Sequence, residues 1–149
     1  MIRPSIECWL VRRTTAGAVI LLLHAPNAPG KHPPLWQPVS GGIEPGEDAR
    51  AACCREVHEE AGLNLDGHDP ICVIDQITIV ARPGLTLDKR VFAAIAPAGD
   101  IRIDAREHDG HEWVPVAAVA PRLHWDSHRT TWARVAPVIE QLARASPAA

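Results

Sequence analysis

The sequence predicts an α+β or α/β sandwich, a layer of strands covered by one helix from mid-chain and one from the C-terminus. Three observations predict it. Short apolar or alternating runs of strand length recur along the chain. One helical segment, residues 48–61, sits among them and stops at Gly62. A longer amphipathic segment, residues 127–145, closes the sequence. Sheet and helices of this kind bury their apolar faces by stacking in layers.

The elements follow in order. Ser5 to Arg13 alternates as a strand, with Ile6, Cys8 and Leu10 on one side. Ala18 to Ala25 contains the run Ala-Val-Ile-Leu-Leu-Leu, a buried strand far short of the ~20 residues a membrane helix needs. Asn27 to Pro34, with three prolines and a glycine, is a loop. Leu35 to Val39 is a short strand running into Ser40-Gly41-Gly42. Pro45-Gly46 suits the centre of a type II turn. Asp48 is the N-cap of the helix and Gly62 its stop. Ile71 to Val80 and Thr86 to Ala96 are strands around an Arg82-Pro-Gly84 turn, and a short strand lies near Glu112 to Pro115. The closing helix is capped by Ser127 or Asp126, and Pro137 inside it is expected to kink or split it.

Composition bounds the function. The chain has 149 residues, 46% hydrophobic and 22% charged, the balance of a globular protein, so a single domain over 1–149 is expected, with a frayed tail at 146–149. A formal net charge of -3 argues against a general nucleic-acid binder. No apolar stretch follows a basic start, so no signal peptide is expected, nor any membrane partner. Cys8, Cys53, Cys54 and Cys72 are scattered without CxxC spacing and are expected as reduced thiols of a cytoplasmic protein.

The chemistry concentrates between Gly41 and Leu63. Glu56, Glu59 and Glu60 stand at i, i+3 and i+4 and share one side of the helix. Like charges at that spacing repel by roughly 0.2–0.5 kcal/mol per pair. They also fill the last turn, where the helix dipole is negative. A divalent cation would turn this repulsion into attraction. Taken alone, three glutamates near a helix end describe a solvated face, and Arg55 with Glu59 a surface ion pair. Gly41, Glu47, Arg55 and Gly62 at fixed spacing move the reading to a metal site. Gly41 and Gly42 allow a close backbone approach to the helix or to a substrate.

The pattern Gly41, five residues, Glu47, seven residues, then Arg55-Glu56-Val57-His58-Glu59-Glu60-Ala61-Gly62-Leu63 resembles the Nudix box in every defining position. The resemblance implies a Nudix fold with the box helix on a mixed sheet. It also implies that Glu56, Glu59 and Glu60 hold Mg²⁺, with Mn²⁺ as a possible substitute. Glu47 would be a weaker or indirect ligand, and Arg55 would orient a carboxylate of the box. Outside the box, Leu35-Trp36-Gln37-Pro38-Val39-Ser40-Gly41-Gly42 resembles the dihydroneopterin triphosphate pyrophosphatase branch, which also degrades some deoxynucleoside triphosphates. Arg106-Glu-His-Asp-Gly-His-Glu-Trp113 is similar to that branch's downstream strand, and Trp125-Asp-Ser-His-Arg129 to the start of its last helix, with one extra residue.

The expected activity is therefore metal-dependent hydrolysis of a phosphoanhydride in a nucleoside or pterin triphosphate. ADP-ribose or dinucleoside polyphosphates are the alternative substrates, and a non-catalytic nucleotide-binding Nudix protein is a further one. Glu107 is the candidate for an additional metal ligand or the general base, with Glu112 as rival. Lys89, Arg90 and Arg129 are candidate phosphate contacts. Trp36 stands either against a substrate ring or in the core; Trp9, Trp113, Trp125 and Trp132 are assigned to the core. His108 and His111 form an HxxH without a partner at ligand spacing, so the histidines are expected at the surface or in hydrogen bonds.

Overall fold

A seven-stranded mixed sheet forms the middle layer in a computed structural model that describes residues 1–145. The tail expected at 146–149 lies outside those residues. The strands are β1 (Ile2–Thr14), β2 (Gly17–Ala25), β3 (Leu35–Gln37), β4 (Val39–Gly42), β5 (Ile71–Arg82), β6 (Leu85–Ile95) and β7 (Gly110–Pro115). The helices are α1 (Ala49–Ala61), α2 (Val116–Arg122) and α3 (Asp126–Ala145). The backbone order is β3-β2-β1-β6-β5, with β1 and β6 parallel and the remaining pairs antiparallel.

The hairpin of β1 and β2 pairs only near its turn, from Val11↔Ile20 to Thr14↔Gly17. Further along, β2 takes β3 and β1 takes β4. Pro38, which cannot donate to a ladder, separates these two short strands. The chain thereby carries Ser40-Gly41-Gly42 across to β1, where Ser5↔Gly42 and Glu7↔Ser40 are partners.

Strand alternation sorts the core onto both faces of the sheet. Ile6, Cys8 and Leu10 of β1 and Leu21 and Leu23 of β2 pack with Ala52, Cys53, Val57 and Ala61 of α1. Trp9, Val11, Ile20 and Leu22 face the other way, against Val119 of α2 and Trp132, Val135 and Ile139 of α3. The expected sandwich is what folds. The helix α2 is the element the sequence reading lacked; Pro121 inside it hid the segment.

Asp48 caps α1 by accepting from the Ala51 N–H at 2.7 Å, and Gly62 ends it in the left-handed region at φ 71°. Gly46 has φ 80°, and Glu47 N–H donates to the Glu44 carbonyl at 3.0 Å, which closes the expected turn. The last helix begins slightly earlier than expected, since the Trp125 carbonyl already accepts from His128 and Arg129. Pro137 does not split α3. It lies on the exposed side, and the carbonyl it leaves without a donor belongs to exposed Ala133, where water serves. All four cysteines are free thiols. No helix among the described residues is long and apolar enough to cross a membrane.

One polar group sits wholly inside the α3 interface. Glu7 of β1 is fully buried and accepts from Trp9 Nε1 at 2.8 Å, Lys89 Nζ at 3.0 Å and Thr131 Oγ1 at 2.5 Å. His128 Nε2 lies 3.7 Å from its carboxylate. Burial alone would raise the Glu7 pKa, but Lys89, His128 and Thr131 together hold it below the usual carboxylate range. Burial pushes His128 down to about 4.

Because folded His128 is neutral and the unfolded imidazole takes a proton near pH 6.5, its contribution to stability is complete above that pH. It falls away as pH drops toward about 4, and the two pKa values bound the loss at about 3 kcal/mol. Urea unfolding between pH 7 and 4 is expected to show this decline, and His128→Asn to flatten it.

Candidate active site

The buried stripe of α1 reads Ala52, Cys53, Glu56, Val57, Glu60, Ala61. Two of its positions, where helical periodicity calls for apolar side chains, are acids. Glu56 is 9% and Glu60 2% exposed, whereas the Glu59 side chain is 52% exposed. The three glutamates are thus not equivalent: two point at the sheet and the third lies on the flank.

Arg55 ties this acidic end to the preceding loop. Its Nε donates to Glu47 Oε2 at 2.8 Å and its Nη2 to Glu47 Oε1 at 2.9 Å, a bidentate pair. Nη2 also reaches the Gly42 carbonyl at 2.8 Å. Nη1 donates to Glu56 Oε1 at 2.9 Å and lies 3.3 Å from Glu59 Oε2. Glu47 further accepts from the Glu44 N–H at 3.1 Å. Hydrogen bonds from Arg55 pull the Glu47 pKa down to about 2 and push that of Arg55 above its usual value. Both Glu47 oxygens are committed in this way. Glu47, expected as a weaker or indirect ligand, holds the arginine.

Gly41 abuts the Glu56 carboxylate, and an added Cβ would overlap it. Gly42 faces the other side of the sheet, where a Cβ would meet Arg3 Nη2 at 2.7 Å. Two side-chain-free residues are all that separates the acids from the opposite face at this point.

Glu60 Oε2 accepts from the Ser40 N–H at 3.2 Å. Burial, with the charges of Glu56 and Glu107 beside it, pushes the Glu60 carboxyl up to about 9. Burial raises Glu56 as well, against the pull of Arg55. Glu107 reaches the cluster from the loop before β7, where the Asp104 carbonyl accepts from the N–H groups of Glu107 and His108. Glu60, Glu107 and His108 bring their ligand atoms within 4.8 Å of one another. His108 is 2% exposed; its Nε2 lies 3.0 Å from Gln37 Nε2, and its Nδ1 has no hydrogen-bond partner among the described residues. Of the two places expected for the histidines, surface or hydrogen bond, His108 takes the second. The Glu107-His108 dipeptide was the available signal, because an acid and an imidazole side by side can reach one pocket.

The other predicted residues scatter. Glu112 lies on the α2–α3 face, opposite Leu22, and accepts from Arg122, so it is remote from the box acids. Trp36 packs against His24 with ring centroids 4.8 Å apart and lies under Arg122 at 4.7 Å, as part of the core beneath α2. Arg129 is tied to Asp126 and to the Leu123 carbonyl at the start of α3. Arg90 pairs with Asp88 at 3.3 Å, and its register partner Ile6 puts it on the α1 face. Lys89, one residue earlier, points to the other face and is 5% exposed. Alternation along β6 forbids the two from sharing a cleft.

A cavity of about 400 Å³ opens beside Lys89, with Leu87, Ile79, Trp125, Ser127 and Ser40 among its walls. A smaller one, about 160 Å³, continues from Ser40, Leu87 and Lys89 to Gly41, Gly42 and Arg3. Trp125, expected in the core, lies at the cavity instead.

The donor set fits a hard divalent cation. It is rich in carboxylate oxygen, and its buried member holds a proton that a cation would displace.

The chain belongs to the Nudix family: residues 1–135 match the family model described as NUDIX domain. It is 32% identical over 118 residues to an octanoyltransferase of Myxococcus xanthus, covering 76% of this chain and 30% of that protein. It is 28% identical over 98 residues to the dihydroneopterin triphosphate diphosphatase of Escherichia coli K12, covering 59% of this chain and 65% of that protein. The chain therefore spans less than two thirds of the length of either relative. Among solved structures, an Ap4A hydrolase binary complex of C. elegans superposes with a TM-score of 0.77 at 18% identity, covering 92% of this chain and 97% of that one. That likeness concerns the fold.

Two outcomes follow from the acid cluster. Glu60 keeps its proton when folded up to about pH 9 and loses it near 4.5 when unfolded, so the metal-free protein loses stability as pH rises between those values. Glu60→Gln, which mimics the protonated form, should raise the Tm of the metal-free protein at pH 7, by up to about 3 kcal/mol of stability. Gly41→Ala should leave the fold intact, because the end of the Glu56 side chain can swing aside, yet weaken Mn²⁺ binding measured by calorimetry.

Proposed function

We propose that the chain is a divalent-metal-dependent hydrolase that cleaves a phosphoanhydride of a nucleoside or pterin triphosphate, releasing the monophosphate and pyrophosphate. The observation that carries this reading is the approach of Glu60 and Glu107, whose ligand atoms lie within 4.8 Å of each other and of His108, with Glu56 beside them and the buried Glu60 carboxyl pushed up to about 9. Without metal this crowding is relieved by a proton on Glu60, which a bound cation would displace.

Mg²⁺, or Mn²⁺ in its place, supplies charge neutralisation for the polyphosphate oxygens when bound. Glu56, Glu60 and Glu107 are the residues to hold it, with Glu59 at the exposed flank. Arg55 keeps Glu56 and Glu59 in place, and Glu47 acts indirectly by holding Arg55. Glu107, exposed at the edge of the cluster, is the group placed to take a proton from the attacking water; Glu112 is engaged elsewhere. Water adds to one phosphorus, the bridging P–O bond breaks, and the departing phosphate carries the electron pair. The Arg3 side chain beside Gly42 has no ion pair or hydrogen bond among the described residues and is available to a phosphate. The 400 Å³ cavity is of a size that takes a heterocycle.

The dihydroneopterin triphosphate diphosphatase of Escherichia coli supports a triphosphate as the substrate class. Four free thiols, Cys72 exposed among them, suit a reducing compartment, and the cytoplasm is the proposed location.

A panel of dNTPs, dihydroneopterin triphosphate, ADP-ribose and diadenosine polyphosphates, with pyrophosphate and phosphate counted separately, tests the reading. Triphosphates should release pyrophosphate only in the presence of Mg²⁺ or Mn²⁺. Glu59→Gln and Glu60→Gln should each lower kcat on the order of 100-fold or more while the thermal unfolding transition persists. Near-normal turnover of either variant at saturating Mg²⁺ would remove that glutamate from the ligand set.

A further inference from the structure

The buried pair of Lys89 and Glu7 has no part in the carboxylate cluster, which lies across the sheet. Lys89 lines both cavities of the cleft. Its ammonium has three protons to donate, and among the described residues its one hydrogen-bond acceptor is Glu7 Oε1 at 3.0 Å. Glu7 cannot yield to a ligand, since Trp9 and Thr131 occupy its other oxygen.

This arrangement is a poor phosphate clamp. The Lys89 charge is already matched by a carboxylate that is fully buried and held below the usual carboxylate range, so the pair offers no net positive charge to a polyphosphate. Arg3, unpaired at the other end of the cleft, does. What Lys89 presents to the cavity is a fixed pair of N–H donors, among apolar Leu87, Ile79 and Trp125 and polar Gln37, Asp126 and Ser127. A buried group that can only donate selects a ring that shows it an acceptor and penalises one that shows it another donor.

Resting on the hydrolase reading above, we infer that Lys89, held by Glu7, reads the carbonyl oxygen of an oxo-substituted fused ring, so that the enzyme selects triphosphates of 6-oxopurines or 4-oxopterins over those of adenine. Hypoxanthine and adenine differ at the C6 substituent, O against NH₂, and at N1, protonated in the first and bare in the second. That makes dITP and dATP the sharpest comparison.

The experiment measures kcat/KM for dITP, dGTP, dATP and inorganic tripolyphosphate, together with equilibrium binding of IMP and AMP by calorimetry. The expected result is a preference of about tenfold or more for dITP over dATP, and for IMP over AMP, the effect of one buried hydrogen bond. The double variant Glu7→Gln/Lys89→Met leaves no unpaired buried charge, and its integrity is checked by thermal unfolding. It should lose the dITP-to-dATP ratio, with IMP and AMP then binding equally by calorimetry. Equal rates for dITP and dATP in the parent would overturn the inference with the hydrolase reading intact. So would a variant that lowers every substrate equally, tripolyphosphate included, because Lys89 would then be serving the phosphates. If no triphosphate is cleaved at all, the hydrolase reading fails, and monophosphate binding still decides what Lys89 recognises.

Discussion

One guanidinium holds the site together. Arg55 contacts Glu47, Glu56, Glu59 and the Gly42 carbonyl, so the loop before α1, the helix itself and the end of β4 meet at a single side chain. Without it, the acids at the end of α1 would repel one another and the helix dipole, and the loop would have no fixed distance from the helix. The planar fork is what makes this possible. A lysine ammonium could not satisfy Glu47 bidentately and still reach Gly42 and Glu56. The ion pairs are partly exposed, so each contributes modestly to stability. Their effect is on position: they set where the Glu56 and Glu59 oxygens stand.

The central strand β1 divides the chemistry between the faces. Its even-numbered residues Ile6, Cys8 and Leu10 build the α1 core, and Glu7, Trp9 and Val11 face α2 and α3. The carboxylate cluster sits on the first face and the Glu7–Lys89 pair on the second. They approach at β4, which is paired with β1 alone and thinned to backbone at Gly41 and Gly42. The glycines serve opposite sides, one for the Glu56 carboxylate and one for Arg3. A substituent at either would close one half of the passage.

Much of this was legible in the sequence. Apolar periodicity located the strands, and Asp48, Pro45-Gly46 and Gly62 marked the turn and both ends of α1, because caps and turns are local and depend on a few side chains. The box spacing gave the acids. What was not legible is the pairing of distant residues. Lys89 and Arg90 look alike in sequence, but only the β1–β6 register says which one faces the cleft. Glu112 and Glu107 are both acids near Trp113, and only the β2–β7 pairing sends one to Arg122. Glu7 gave no sign of being buried, since its partners Lys89 and Thr131 are 82 and 124 residues away. Strand periodicity finds a core but does not say which polar residue within it has found partners.

The placement of Glu56 and Glu60 on the buried stripe of α1 is a deliberate weakening of the fold. Two apolar side chains there would bury at a gain of roughly 1.5–3 kcal/mol each; the acids instead bring desolvation and mutual repulsion. The helix tolerates this because Ala52, Cys53, Val57 and Ala61 occupy the rest of the stripe, and Leu63 and Leu65 extend the contact past its end. Against a net stability of roughly 5–15 kcal/mol for a domain, the sacrifice is large but survivable. It also explains why the acids stand at the C-terminal end of α1 rather than its middle. There Ser40, Glu107 and Arg55 can reach them from other elements, while the apolar anchor remains unbroken on the N-terminal side. A cation bound at that end would return the lost stability as binding free energy, which couples the order of the site to its occupancy.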